Sequence, residues 1–186
     1  PQCAIQPNTS IVVIVNPLPA LDNSNYTFCS DVASTVLQYF PDANTYSYDW
    51  LPNPLANYIG QNNGPSSITV SLPDPLSNSP TDFYYVSNLT NNATGCQALD
   101  SILVTINPNP VGIFTLPTTG CINSPIPISN GNATIGDYQW SIDGLLYSTL
   151  ANPIPPVFNS LGIHDIEMVA SNIYGCTDTL FSSIQI

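Results

Sequence analysis

Apolar residues alternate with polar ones along much of this chain, which is the spacing of half-buried β-strands. Tyr46, Tyr48 and Trp50 follow it, as do Ile68, Val70 and Leu72. Two further apolar runs, Tyr84-Tyr85-Val86 and Ile102-Leu103-Val104-Thr105-Ile106, flank Asn92-Ala93-Thr94-Gly95-Cys96. Apolar runs joined by a short glycine-containing segment predict a β-hairpin. The same hairpin returns as His164-Asp165-Ile166, the turn Asn172-Ile173-Tyr174-Gly175-Cys176 and a strand running to Ile186. A partial third copy leads from Cys3 through Ile11-Val12-Val13-Ile14-Val15 to Asn16-Pro17. Internal repetition sets the architecture. The Asn-Pro marks predict one repeat at 17–107 and a second at 108–186, with 1–16 the last strand of a preceding repeat.

The remaining segments fit the same scheme. Thr35–Phe40, Ile113–Leu116, Ile126–Ser129, Leu145-Leu146-Tyr147 and Val157-Phe158 are candidate strands, and Tyr138-Gln139-Trp140 matches Tyr48-Asp49-Trp50. Asn130-Gly131 marks a turn, and Asp143-Gly144 is a strong hairpin signal. The chain carries 19 prolines, many at strand ends, which argues against long helices. Each repeat therefore predicts about seven short strands with regular turns, the pattern of an Ig-like β-sandwich. The expected fold is all-β, a string of tandem Ig-like sandwiches.

Composition narrows the function. There is no Lys or Arg against 12 acidic residues, a formal charge of −12. Without cations the chain has nothing to neutralise phosphates, which excludes nucleic acid as a partner, and nothing to draw it to anionic lipid. No run reaches the 18 or more apolar residues of a membrane helix, so no membrane insertion is expected. Charged residues make up 6% and hydrophobic residues 43%, so the fold must rest on apolar burial and backbone hydrogen bonds rather than ion pairs.

Gly162-Ile163-His164-Asp165-Ile166-Glu167-Met168, followed by Asn172-x-x-Gly175-Cys176, resembles the closing pattern of PKD-type Ig-like domains. The layout Cys121…Tyr138-x-Trp140…Gly175-Cys176 is similar to the variant repeated in large Bacteroidota surface proteins, including gliding-motility adhesins exported by the type 9 secretion system. The family's usual Gly-Asp-Gly after the Trp is Ser141-Ile142-Asp143-Gly144 here and is absent after Trp50. The resemblance implies an extracellular, cell-surface location, tandem PKD-like repeats and no catalysis. It also implies O-glycosylation at Asp-Ser/Thr-apolar tripeptides, which would fall on Ser101 and Thr179. Asn8, Asn25, Asn88, Asn92 and Asn132 lie in N-x-Ser/Thr sequons, relevant only if the source glycosylates them.

Five cysteines in an extracellular chain are expected to be oxidised. Cys29 and Cys121 precede the second strand of their repeats, whereas Cys3, Cys96 and Cys176 sit at the last hairpin. Pairing within repeats gives Cys29–Cys96 and Cys121–Cys176. Sandwich topology opposes this, because the two positions lie at opposite ends of strands roughly 20 Å long, and a disulfide needs Cα atoms about 5.5 Å apart. A Cys29–Cys176 bond between repeats is the preferred expectation, with Cys96 and Cys121 directed to other neighbours.

Trp50 and Trp140, and with them Tyr84 and His164, are expected as core anchors rather than as sugar platforms or catalytic groups. His164 is the sole histidine and takes Tyr84's place in the repeat. No cofactor is expected. Calcium takes six to eight oxygens, for which only Asp42, Asp49 and Asp137 are at hand near the third strands. The sequence thus points to a non-enzymatic structural or adhesive protein, a stiff stalk or filament segment of a large cell-surface adhesin. Its partners would be neighbouring repeats of the same chain, polysaccharide or solid surfaces, or further copies in a filament. The alternative is a carbohydrate-binding or spacer module of a secreted enzyme, which predicts an exposed, coplanar aromatic patch.

Overall fold

The computed structural model describes residues 12–19, 25–38, 45–56, 58–64, 66–73, 79–131 and 136–186. Cys3, Asp42, Asn8 and Asn132 lie outside them. Among the described residues the regular elements are strands, apart from a single 3-10 turn at Pro54–Ala56. None is a helix long and apolar enough to cross a membrane.

In the first half the strands are β1 (Tyr26–Cys29), β2 (Ser34–Gln38), β3 (Tyr46–Trp50), β4 (Gln61–Gly64), β5 (Ser67–Ser71), β6 (Thr81–Asn91) and β7 (Gln97–Asn107). They form a five-stranded sheet in the order β1-β7-β6-β3-β4 and a two-stranded sheet β2-β5. The second half has β8 (Phe114–Thr115), β9 (Ser129–Asn130), β10 (Asp137–Ile142), β11 (Leu145–Ser148), β12 (Ile163–Ser171) and β13 (Thr177–Gln185). Their sheets are β11-β10-β12-β13 and β8-β9. The chain is all-β, with two tandem Ig-like sandwich subdomains.

Backbone proximity draws the compact units differently from the Asn-Pro marks. One contains Val36–Val70 and Tyr84–Leu103; the other contains Asn25–Thr35, Ser71–Phe83 and Val104–Ile186. The second unit therefore includes β1 and the last residues of β7 along with everything beyond Asn107.

In the first unit, β3 runs antiparallel to β6 with Tyr46 opposite Asn91, Tyr48 opposite Leu89 and Trp50 opposite Ser87. Alternation turns Tyr48 and Trp50 inward, and both are buried with Tyr85 and Leu89. Tyr58 meets the Tyr85 ring edge-on at 5.8 Å, and burial pushes both phenols above their ordinary pKa. In the second unit, β10 pairs with β12, with Tyr138 opposite Ala170 and Trp140 opposite Met168. Ile126, Tyr138, Trp140, Phe158, Ile166 and Met168 are prominent in its core. Trp140 is 1% exposed. Phe114 packs edge-on to its ring at 5.3 Å, and its indole N–H donates to the Leu150 carbonyl at 2.9 Å.

One expected anchor is corrected. Tyr84 is 54% exposed, and Tyr85 is the residue that points inward. The reason lies in the turns. In each hairpin the asparagine N–H donates to the cysteine carbonyl, Asn91 to Cys96 and Asn172 to Cys176. The first turn carries one residue more than the second, so alignment on the glycines slips by one, and one residue moves a side chain to the other face of a strand. Aligned on the asparagines, His164 stands at Phe83, Ile166 at Tyr85, Met168 at Ser87 and Ala170 at Leu89.

These contacts separate two buried side chains that look equally important. Trp140→Ala is expected to cost about 3–5 kcal/mol, as for other buried aromatics. Ser87 is fully buried, and its hydroxyl has no hydrogen-bond partner among the described residues. Ser87→Ala therefore removes an unsatisfied group and should leave stability unchanged or raised. Denaturant midpoints of the two variants check both outcomes.

Candidate functional site

Several long-range hydrogen bonds and a disulfide surround Asn107-Pro108-Asn109-Pro110. β1 lies parallel to the end of β7, with Phe28 opposite Ile106 and Cys29 opposite Asn107. This pairing carries Cys29 to the point where β7 stops, and the Val32 N–H closes a turn onto the Cys29 carbonyl at 3.1 Å. Cys176 arrives from the β12–β13 turn. There the Asn172 side-chain oxygen accepts the N–H groups of Tyr174 at 3.0 Å and Cys176 at 3.1 Å. An asparagine bonding its own turn in this way mimics a backbone turn, and Gly175 takes the positive φ of 79° that the turn requires.

Cys29 and Cys176 are joined by a disulfide, their Cα atoms 5.6 Å apart and 147 positions apart in sequence. Cys176 is buried, and its sulfur lies 4.0 Å from the Asn107 carbonyl. That approach is a contact rather than a hydrogen bond, because a disulfide sulfur carries no proton. The Asn172 amide nitrogen donates to the Pro108 carbonyl at 2.7 Å. The Asn109 N–H donates to the Ser30 hydroxyl at 3.1 Å, and the Gly112 N–H to an Asp178 carboxylate oxygen at 2.8 Å. Gly112 is itself a close-approach position, since a Cβ there would meet Leu180 Cδ1 at 2.4 Å. The 107–112 run is thus tied by several hydrogen bonds and lies beside the Cys29–Cys176 disulfide. Cys96 and Cys121 remain free thiols, the first half-buried and the second exposed.

The other expected site residues are scattered. Trp50 and Trp140 are buried and offer no platform to a sugar. Ser101 is half-buried in β7 and Thr179 is exposed on β13. Their tripeptides do not occupy equivalent places, since Ser101 lies five residues past Cys96 and Thr179 three past Cys176. Asp49 lies in β3 and Asp137 opens β10. Among the described residues no group of three His, Cys, Asp or Glu side chains is arranged to hold a metal.

His164 has partners that sequence reasoning missed. Its Nδ1 lies 2.7 Å from Asp143 Oδ2, and its ring sits 4.4 Å from that of Phe158. Asp143 occupies the β10–β11 turn at φ 49°, followed by Gly144 at 77°, the left-handed pair of a type I′ hairpin. Its second oxygen accepts the Asp165 N–H at 2.9 Å, and its own N–H donates to the Asp165 carbonyl. Ser160 completes a sequence that looks like a catalytic triad, with its hydroxyl 3.4 Å from His164 Nε2. The same Nε2 also faces the Ser160 carbonyl at 3.2 Å. Once doubly protonated, the ring donates to an acceptor at each nitrogen and keeps no lone pair for a general base. Through these contacts the group ties the β10–β11 turn to β12. Only the Asp143-Gly144 turn signal pointed toward it.

The hydrogen bond to Asp143 raises the His164 pKa, against some opposing desolvation, and the same bond lowers that of Asp143. His164 then contributes stability in full below its unfolded value of about 6.5, lost as pH rises through the raised folded value. Asp143 contributes above its unfolded value of about 3.9, lost as pH falls through the lowered one. As the sole histidine, His164 gives a single imidazole signal in proton NMR. Its titration midpoint should lie above 6.5 and fall on Asp143→Asn. The loss of stability as pH rises through the His164 value should shrink in that variant. An unchanged midpoint would show that the pair carries no coupling.

No protein-family model and no curated protein matches this chain. Solved structures resemble it weakly. The fibronectin(III)-like modules of Clostridium thermocellum CbhA are 11% identical, with 90% of this chain and 93% of that one covered and a TM-score of 0.43. A C-terminal fragment of intimin, in complex with the intimin-binding domain of its translocated receptor, is 11% identical over 91% of this chain and 64% of its own, at a TM-score of 0.42. Human protocadherin-24 EC1-2 is 12% identical over 91% and 98%, at 0.38. At these values the likeness carries no family and no function to this chain.

Proposed function

We propose that this chain is a segment of a non-enzymatic, extracellular adhesin stalk, in which repeats at 17–107 and 108–186 follow the last strand of another repeat at 1–16. The observation that carries this reading is the Cys29–Cys176 bond, whose cysteines come from two different sequence repeats. A bond of that kind turns a proline-containing join into a covalent staple. Asn109, Asn172 and Asp178 add hydrogen bonds to the same run. A spacer that only separates two domains needs none of these ties, whereas one that transmits load does. The disulfide and the absence of cationic side chains suit a surface location, and the resemblance to Bacteroidota repeats points to attachment or gliding motility as the setting. Ser101 and Thr179 are the proposed O-glycosylation sites, and polysaccharide or solid surfaces the proposed partners.

Pulling a single molecule by its ends tests the load-bearing role. With the disulfide intact, the 147-residue separation between Cys29 and Cys176 stays closed. Adding a reductant should release roughly 500 Å of further extension, at up to about 3.6 Å per residue. Full extension without reductant would sink the proposal.

One observation favours the carbohydrate-binding alternative. The Tyr26 and Phe28 rings lie 6.1 Å apart and within 12° of parallel on the edge strand β1, both half-buried. Stacked aromatic faces of this kind suit a sugar. Saturable binding to a glycan array that is lost in Tyr26→Ala would support that role; absence of binding would leave the stalk reading alone.

A further inference from the structure

The chain contains the parts of the Cys29–Cys176 joint a second time, with half of them unpartnered. Val12-Val13-Ile14-Val15-Asn16-Pro17 corresponds position by position to Leu103-Val104-Thr105-Ile106-Asn107-Pro108. In the later copy Val104 and Ile106 are fully buried, and Val104–Asn107 pairs with Tyr26–Cys29. In the earlier copy Val12, Val13, Ile14 and Val15 are 77–85% exposed, and 12–16 joins no strand among the described residues. Four consecutive apolar residues in that state have the composition of a strand and no described sheet to join. Exposed apolar surface of this kind marks a place of association.

The turn that would face such a joint is also duplicated. Asn91 holds its turn through its side-chain oxygen, accepting Ala93 N–H at 2.9 Å and Thr94 N–H at 3.1 Å. Asn172 holds its own turn in the same manner. Cys96 ends the first turn where Cys176 ends the second, yet Cys96 is a free thiol. Asn16-Pro17 precedes the first repeat as Asn107-Pro108 precedes the second.

We infer that Val12–Asn16 and Cys96 belong to one joint built to receive the body of another repeat of this same class. Its sheet takes up Val12–Asn16 as a last strand, and a cysteine at its Cys29 position bonds to Cys96. The inference rests on the stalk reading only in taking these repeats as tandem modules. The Cys29–Cys176 pair supplies the occupant's chemistry: an edge strand ending in cysteine, laid parallel to the apolar run. Closure removes two protons and two electrons from the two thiols. A small-molecule disulfide accepts them by thiol–disulfide exchange and leaves as two thiols.

The test extends the full chain. Residues 17–95 are copied and placed ahead of Cys3, so that the added body precedes the 12–16 strand. After refolding with oxidised and reduced glutathione, non-reducing peptide maps should join the added Cys29 to Cys96. Amide exchange at Val12–Val15 should slow at least tenfold relative to the 186-residue chain. A second extended chain with residues 108–175 in the same place, whose Cys121 stands where Cys29 does, guards against misfolding of the first. Cys96 left reduced and Val12–Val15 unprotected in both chains would overturn the inference. So would a Cys96–Cys121 bond between copies of the unextended chain that protects Cys96 equally well, since the incoming repeat would then bring its own last strand. The Cys29–Cys176 bond is read in the same maps, so failure of the stalk reading is separately visible.

Discussion

A chain without Lys or Arg has to meet its long-range polar needs with amides, hydroxyls, carboxylates and a single imidazole. Asparagine is suited to that work because its side chain both donates and accepts. Asn172 uses its oxygen to hold its own turn and its nitrogen to hold the Pro108 carbonyl. Asn130 reaches across to the Ala151 carbonyl. The acidic residues do the same with both oxygens: Asp143 takes an imidazole with one and a backbone N–H with the other. Such bonds are weaker singly than charged pairs, about 1 kcal/mol each. They depend on the apolar core to hold them in place, and on the disulfide beside the proline-containing 107–112 run.

Much of this was visible in the alternation of apolar residues. Tyr48, Tyr138 and Trp140 declared both their strands and their inward faces, because a polar neighbour stood on either side of each, and Trp50 followed Tyr48 at the same period. Thr81–Asn91 is the instructive exception. Tyr84 and Tyr85 are adjacent and equally apolar, so the period is legible there but the phase is not. The phase depends on the length of the following turn, which the glycine alone does not report. The paired turns from Asn91 to Cys96 and from Asn172 to Cys176 settle it.

The candidate site was legible in its covalent part and opaque in its polar part. Cysteines fall into position classes that strand length can sort, and a 20 Å strand is a coarse enough ruler to separate the alternatives. Hydrogen bonds are not sorted that way. The Asn172–Pro108 bond spans 64 positions and the Asp143–His164 pair 21, and nothing in an asparagine or aspartate sequence context announces a partner at such a distance. Likewise, Asp100-Ser101 and Asp178-Thr179 look alike as tripeptides but sit on different rungs of their hairpins.

The Cys29–Cys176 bond also alters what a break in the backbone means. A peptide bond cut anywhere between those residues leaves two polypeptides that still travel as one molecule, because the sulfur bridge spans the wound. A protease would then have to cut beyond the bridge, or wait for it to be reduced, before either piece is lost. For such a chain, survival depends less on avoiding cleavage than on where the cleavage falls.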